Sequence, residues 1–165
     1  MTKAIILIIA LGLVALLPSK LIADDSVKWS NDPLPKEMTT LEMIKYYSGK
    51  YGSDPSEVYS VGMCESGLRN NVVGDNGHSF GAFAYFKSTW DRYVKIYNER
   101  SGLSEKLDIN SIHDQIKLTA FVFSLEEVNK KEWTTYVAIT KGGTYSFYSS
   151  FHKKDFTISC KYNKI

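Results

Sequence analysis

The chain has 165 residues, which is about right for a single domain, since soluble domains commonly have ~100 to 150 residues. With 44% hydrophobic residues and a formal charge of +2 at pH 7, the composition is that of a globular protein. It argues against a disordered chain or a strongly basic one, so no nucleic-acid partner is expected.

The first residues carry the pattern of a secretory signal. A lysine at position 3 precedes an apolar run from Ala4 to Leu17, and Ala23 is a small residue at a plausible cleavage site. The run is shorter than the ~20 apolar residues that a membrane-spanning helix needs. We therefore predict a signal peptide over residues 1–23 and export to the periplasm or the extracellular cell wall. Contact with the membrane is expected only through this segment, if it stays uncleaved.

The folded domain is predicted to follow a short linker. Residues 24–38 are mostly polar and contain two prolines, which favours a linker, and residues 39–165 form the domain. Thr39 and Glu42 have the spacing of a capping box, and Gly52 supplies a stop signal. These signals predict the first helix.

The second helix has the clearest boundaries. Asp54 is suited to the N-cap, Pro55 to the first turn and Gly67 to the C-cap. At 3.6 residues per turn, Glu65 lies on the same stripe as Val61 and Leu68. Its side chain is therefore expected to face the core side of the helix rather than open water.

The remaining elements are predicted from the same kinds of signal. Residues 70–87 are rich in glycine and indicate turns or a small hairpin, and residues 155–162 alternate and indicate a short strand. Further helices are expected from Ser88 with Asp91, from Ser111 with Asp114, and over residues 133–143. The helix after Ser111 is expected to be the longest, extending to position 128. The predicted fold class is mainly α, with a small loop or hairpin beside the second helix.

The two cysteines, Cys64 and Cys160, fit an oxidising compartment as one disulfide. Such a bond would close a loop of nearly the whole domain and place the C-terminal strand against the second helix. The alternative is two buried free thiols, because the sequence does not show the distance between the two Cα atoms.

Glu65 is the candidate catalytic residue. An inward glutamate at the end of a helix, facing a glycine-rich loop, has the position that a general acid needs, since a partly dry site keeps a carboxyl protonated near neutral pH. The alternative is a glutamate at a helix end that turns out to solvent.

A known family resembles this part of the chain. The runs YGSDPSEVYSVGMCESGL, GDNGHSFGAF and STW are similar to the soluble-type lytic transglycosylases, lysozyme-like proteins that cut peptidoglycan. The family's Glu-Ser-Gly is matched by Glu65, Ser66 and Gly67, and its glutamate is the only catalytic acid and base. Gly81 and Thr89 match the following Gly-x-x-Gln segment and helix. The resemblance covers about residues 41–143 and implies a lysozyme-like α+β domain.

Two positions depart from the family pattern. Ala84 stands where the family has the glutamine of Gly-x-x-Gln, and Thr140 with Lys141 stands where many members have Tyr-Asn. The resemblance implies that Ser79 and backbone groups near Gly81 position the N-acetyl group, and tyrosines are candidates for the missing sugar contact. The predicted substrate-binding residues are Ser66, Ser79, Gly81, Tyr85, Thr140 and Tyr145.

Asp75 is the candidate second carboxylate. It matters because hydrolytic glycosidases generally use two carboxyl groups. In Gly-Asp-Asn-Gly, however, an aspartate is also a turn residue that bonds its own backbone, and the turn role is favoured.

Other chemistries have weaker support. Cys64 lies near a helix C-terminus, whereas a reactive thiolate is usually found at an N-terminus, so a thiol hydrolase is disfavoured. His78, His113 and His152 are scattered and show no spacing typical of metal ligands. No metal or cofactor is expected.

The resemblance implies an enzyme that cleaves the β-1,4 bond between N-acetylmuramic acid and N-acetylglucosamine and leaves 1,6-anhydro ends. Its partners would be peptidoglycan glycan strands, and a monomer is expected. One alternative is a hydrolytic lysozyme that uses Glu65 and Asp75 with water. Another is a peptidoglycan-binding relative without turnover.

Overall fold

The protein is mainly helical. A computed structural model describes residues 38–150 and 152–165, so the predicted signal peptide and nearly all of the predicted linker lie outside the described residues. The elements are α1 (Thr40–Tyr51), α2 (Pro55–Ser66), β1 (Val73–Gly74), β2 (Ser79–Phe80), β3 (Tyr85–Phe86), α3 (Lys87–Ser101), α4 (Ile112–Ser124), α5 (Glu127–Lys130), α6 (Thr134–Thr140), β4 (Thr144–Ser149) and β5 (Lys154–Ser159). Across the two described ranges, no helix is both long and apolar enough to span a bilayer.

The boundaries of α1 and α2 confirm the predictions from the sequence. Thr39 and Glu42 form the full capping box, with the carboxylate accepting from the Thr39 N–H at 2.8 Å. The Asp54 carboxylate accepts from the Ser56 N–H at 2.8 Å. Gly52 and Gly67 end the two helices with φ of 80° and 69°, in the left-handed region that glycine adopts without strain.

The next two helices differ from the predictions. The predicted cap of α3 at Ser88 and Asp91 is wrong, because the helix begins at Lys87 and Asp91 instead forms an ion pair with Lys87 one turn earlier. The predictions that α4 is the longest helix and that it extends to position 128 are also wrong. It has 13 residues against 15 in α3, and it ends at Ser124 because Leu125 adopts extended backbone angles.

The hydrophobic core is built around α4 and is rich in aromatic residues. Ile116, Leu118 and Val122 of α4 are fully buried, and α1 packs against this helix. The Trp133 ring meets Tyr85 edge to face at 5.3 Å and Phe123 at 5.4 Å, arrangements that stabilise aromatic pairs beyond their buried area. The core thereby connects the small sheet, α4 and the start of α6.

The glycine-rich segment forms a three-stranded antiparallel sheet in the order β1-β2-β3, which is consistent with the predicted turns or hairpin. Buried Gln115 of α4 holds the loop between β2 and β3, because its Oε1 accepts from the Phe83 N–H at 3.1 Å. Its Nε2 donates to the carbonyl of Ile109, just before α4, at 2.5 Å. Gly81 leaves room for this amide, since a Cβ there would lie 1.8 Å from Nε2.

The last part of the chain is a hairpin followed by a tail. The predicted strand exists as β5, and β4, which the sequence did not reveal, pairs with it so that Phe147 lies opposite Phe156. The tail then runs back along α2, where the Asn163 and Ile165 N–H groups donate to the hydroxyls of Ser60 and Ser56 at 2.7 and 3.2 Å. The two serines lie one helical turn apart on α2.

Candidate active site

A cleft of about 410 Å³ lies between the helices and the two small sheets. One side is formed by the C-terminal end of α2 and the N-terminal end of α6, which contribute Glu65 and Thr135. The other side is formed by the β4–β5 hairpin, with Phe147 and Phe156. Asp75, on the turn between β1 and β2, lines the same cleft.

Glu65 is half-buried and directed into this cleft, so the expectation that its side chain avoids open water is confirmed. The Thr135 hydroxyl donates a hydrogen bond of 2.6 Å to Glu65 Oε1. The pKa of the Glu65 carboxyl is raised to about 7, chiefly by desolvation; the Thr135 hydrogen bond opposes the rise, and the charge of Asp75 adds a smaller upward contribution.

The raised pKa decides what this carboxyl can do. With a pKa of about 7, Glu65 is about half protonated at neutral pH, so both the acid and its conjugate base are present. A carboxyl with an ordinary pKa near 4.3 would be almost fully ionised there. The site therefore suits a group that must first give a proton and then take one back.

Asp75 lies in a turn and also lines the cleft. Its backbone carbonyl accepts from the His78 N–H at 3.3 Å, which is a turn contact. Its carboxylate lines the cleft and lies 3.1 Å from Nε2 of His152. This contact joins the small sheet to the turn of the β4–β5 hairpin.

The predicted disulfide between Cys64 and Cys160 is confirmed, with a Cα–Cα distance of 5.8 Å and a sequence separation of 96 residues. Cys64 precedes Glu65 directly and also lines the cleft. Cys160 follows the last residue of β5. The bond therefore fixes the hairpin to the helix that carries the candidate acid.

Three predicted substrate-binding residues have internal contacts and are not among the residues that line the cleft. The buried Ser66 hydroxyl donates to the Ala82 carbonyl at 2.9 Å. Ser79 is buried on β2, and its hydroxyl lies close to Gly74. Gly81 packs against Gln115. These contacts connect α2, the small sheet and α4.

The other three predicted substrate contacts are placed differently. Tyr85 does line the cleft, but it is almost fully buried and its hydroxyl is 2.9 Å from that of Thr119. Thr140 is exposed on α6 and donates to the Val137 carbonyl, away from the lining. Tyr145 lies beside the lining, with the Lys141 ammonium 4.6 Å from its ring.

Ala84, the residue at the family's glutamine position, does line the cleft. Its φ is +50°, in the left-handed region that is uncommon for residues other than glycine. Strained backbone of this kind is often found at functional sites. The strain here accompanies a sharp turn between the loop and β3.

Sequence reasoning missed Thr135 and the inner residues of the hairpin. Thr135 is 70 residues from Glu65, and nothing in its local pattern indicates the contact. Phe147 and Phe156 lie in segments where apolar and polar residues alternate. This alternation was the available signal, and it would have had to be interpreted as two paired strands, β4 and β5. In the described part of the chain, no three His, Cys, Asp or Glu side chains lie together as metal ligands would.

Comparison with known proteins adds no assignment. No protein-family model matches the chain, and the searches of curated proteins and of solved structures found no match. The lysozyme-like assignment therefore stays a prediction from the sequence.

Proposed function

We propose that this protein is an exported lytic transglycosylase that cleaves the MurNAc–GlcNAc β-1,4 bond of peptidoglycan. The observation that carries the proposal is Glu65, a half-buried carboxyl whose pKa is raised to about 7, at the end of a helix in a cleft. It occupies the position that the Glu-Ser-Gly resemblance assigns to the family's acid and base. The disulfide between Cys64 and Cys160 is consistent with an oxidising compartment.

The reaction needs one group that reverses its role. Protonated Glu65 gives its proton to the glycosidic oxygen, and the bond from that oxygen to C1 of the muramic acid breaks as the N-acetylglucosamine leaves with a new hydroxyl. The Glu65 carboxylate then takes the proton of the C6 hydroxyl while the C6 oxygen bonds to C1. The product is a 1,6-anhydro ring, no water is consumed, and Glu65 is protonated again.

Thr135 supports both halves of this cycle. Its hydrogen bond to Oε1 of Glu65 limits rotation of the carboxyl and leaves Oε2 for proton transfer. The hydrogen bond also favours the ionised form, which opposes the desolvation that favours the neutral form. Thr135 thus keeps the acid strong enough to give its proton, while desolvation keeps the conjugate base strong enough to take one back.

A second candidate function is hydrolysis with two carboxyl groups. Asp75 favours it, because it lines the same cleft as Glu65 and its charge raises the Glu65 pKa. In such a lysozyme, Asp75 would act as nucleophile or activate water. The contact of Asp75 with His152 supports instead a structural role in closing one end of the cleft.

Product analysis separates these functions. Purified wall sacculi are digested in water enriched in heavy oxygen, and the released muropeptides are analysed by mass spectrometry. A transglycosylase gives anhydro ends without heavy oxygen, whereas a lysozyme gives reducing ends that carry it. Anhydro ends from the parent, absent with Glu65→Gln, are expected. Reducing ends would identify the hydrolase, and binding without any release would identify a relative that has lost turnover.

A further inference from the structure

The two faces of the β4–β5 hairpin differ in composition. Phe147, Phe156 and Ile158 point to the inner face and line the cleft that contains Glu65. Tyr148, the next residue after Phe147, points to the outer face and is 60% exposed. Since successive side chains of a strand alternate between faces, the three apolar residues form one continuous surface.

This inner surface is only partly covered by the protein itself. Phe147 and Phe156 are a cross-strand pair with ring centroids 5.9 Å apart and an angle of 18° between the rings. Both residues are half-buried rather than buried. Both line the same cleft as Glu65 and Thr135.

The position of the surface is fixed relative to Glu65. The disulfide joins Cys160, directly after β5, to Cys64, directly before Glu65. The Cys160 N–H also donates to the Gly143 carbonyl at 2.7 Å, which ties the end of β5 to the residue that precedes β4. A molecule bound against the phenylalanines is therefore held at a fixed position relative to the candidate acid.

Apolar rings of this kind match one part of an amino sugar. A pyranose ring exposes patches of C–H groups, and its N-acetyl group ends in a methyl, so both have apolar surface to bury. We propose that the inner face of the hairpin, formed by Phe147, Phe156 and Ile158, is the wall of the cleft that binds and positions an N-acetylated sugar ring. This proposal rests on the proposed function, because it assigns a substrate contact in the same cleft.

The wall contributes no acid, base or hydrogen-bond donor from its three apolar side chains. Its contacts with the sugar persist from the bound state to the transition state, and binding of this uniform kind lowers KM without raising kcat. Loss of the apolar contact with one phenylalanine ring is expected to weaken affinity by about two- to twelvefold. The wall is thus a set of positioning residues rather than catalytic ones.

Phe147→Ala and Tyr148→Ala form a matched pair for testing the wall, since they remove adjacent aromatic residues from opposite faces of one strand. With soluble glycan strands as substrate, Phe147→Ala is expected to raise KM by about three- to tenfold with kcat within about twofold. Tyr148→Ala is expected to change neither constant by more than about twofold. If Phe147→Ala does not fold, Phe147→Leu keeps most of the packing volume and is expected to raise KM by a smaller factor.

Binding measurements distinguish failure of the wall from failure of the proposed function. Sedimentation with sacculi is measured for Glu65→Gln alone and combined with either hairpin substitution. Weaker binding only with the Phe147 substitution supports the wall. Equal binding by all three variants would overturn the proposal of the wall, and so would a Phe147 variant in which kcat falls and KM is unchanged. In either case, cleavage by the parent would still support the proposed enzymatic function. If the parent does not cleave sacculi and Glu65→Gln does not bind them, both the wall and the proposed function are overturned.

Discussion

The two sides of the cleft differ in how they are held. Glu65 and Thr135 lie on helices whose neighbouring residues Val61 and Ala138 are fully buried in the core region. On the hairpin side, every described residue of β4 and β5 is half-buried or exposed, and the nearest buried residue is Cys160. The helical side is fixed by core packing, whereas the hairpin packs on α6 with no fully buried side chain among its described residues and is cross-linked by one disulfide.

This difference separates two tasks. Proton transfer needs a carboxyl at a fixed position that is partly shielded from water, and the core packing of α2 and α6 holds the half-buried Glu65 in such a place. Contact with a sugar tolerates a less stable element, and regions with little buried area open at lower free energy than the core. Changes on the helical side should therefore alter catalysis and its pH dependence, whereas changes on the hairpin side should alter binding and stability.

Glu65→Gln tests the helical side most severely and has the largest expected effect. The amide keeps the shape but neither gives nor takes the proton, so activity on sacculi should fall by at least the ~10² to 10⁴ that general acid catalysis contributes. Glu99→Gln is the matched control, because this glutamate on α3 has a side chain that is 63% exposed. Near-parental release of anhydro-muropeptides by a folded Glu65→Gln would show that Glu65 is structural.

The same variant has an expected effect on stability. The folded-state pKa of Glu65 is raised from 4.5 to about 7, so the parent loses stability as pH rises from the lower value to the higher. An amide does not ionise and avoids this loss. The melting temperature of Glu65→Gln minus that of the parent should therefore be larger at pH 8 than at pH 4. Thermal scans of both proteins at the two pH values measure this difference.

Removal of the disulfide tests the hairpin side. In the chain-entropy model, a bond across 96 residues contributes ~4 to 5 kcal/mol, so the double variant Cys64→Ser with Cys160→Ser should lose up to that free energy of unfolding. KM should also rise, because the hairpin is no longer fixed beside Glu65. Denaturant titration and steady-state kinetics measure the two effects.

Ser60→Ala is the control for the disulfide experiment. It removes a hydrogen bond from the Asn163 N–H on the same side of α2, worth about 1 kcal/mol, and leaves the cross-link intact. A double cysteine variant that is no less stable than Ser60→Ala would show that the hairpin is held by packing after all.

Thr135→Val has the smallest expected effect and tests how the helical side sets the proton affinity. Loss of the hydrogen bond to Glu65 removes an interaction that favours the carboxylate, so the pKa should rise above about 7 by roughly one unit. The decline of activity with increasing pH should then move to higher pH by the same amount, as measured by kcat/KM against pH.

Thr135→Ser keeps the hydroxyl and should leave the pH profile in place. Thr140→Val changes a threonine on the same helix whose hydroxyl donates to the Val137 carbonyl, and it should also leave the profile unchanged. A Thr135→Val profile that coincides with the parent's would show that this hydrogen bond does not tune Glu65.

Predictions from the sequence succeeded where a few neighbouring residues decide the structure. The capping box of Thr39 and Glu42, the Asp54 cap and the two terminal glycines have partners within four residues of each other. The helical period alone placed Glu65 on the inner stripe. The start of α3 was predicted wrongly because the Ser88 and Asp91 spacing competes with an ion pair of Asp91 and Lys87.

By itself, the sequence determined the first two helices, the side of α2 that carries Glu65 and the resemblance of its Glu-Ser-Gly to a family. Only the tertiary structure decided the partner of Glu65, the pairing of Phe147 with Phe156 and the closure of the cleft by Cys64 and Cys160. The physical reason is range. Caps and helical faces depend on backbone groups one turn apart, whereas desolvation of a carboxyl depends on which distant segments exclude water from it.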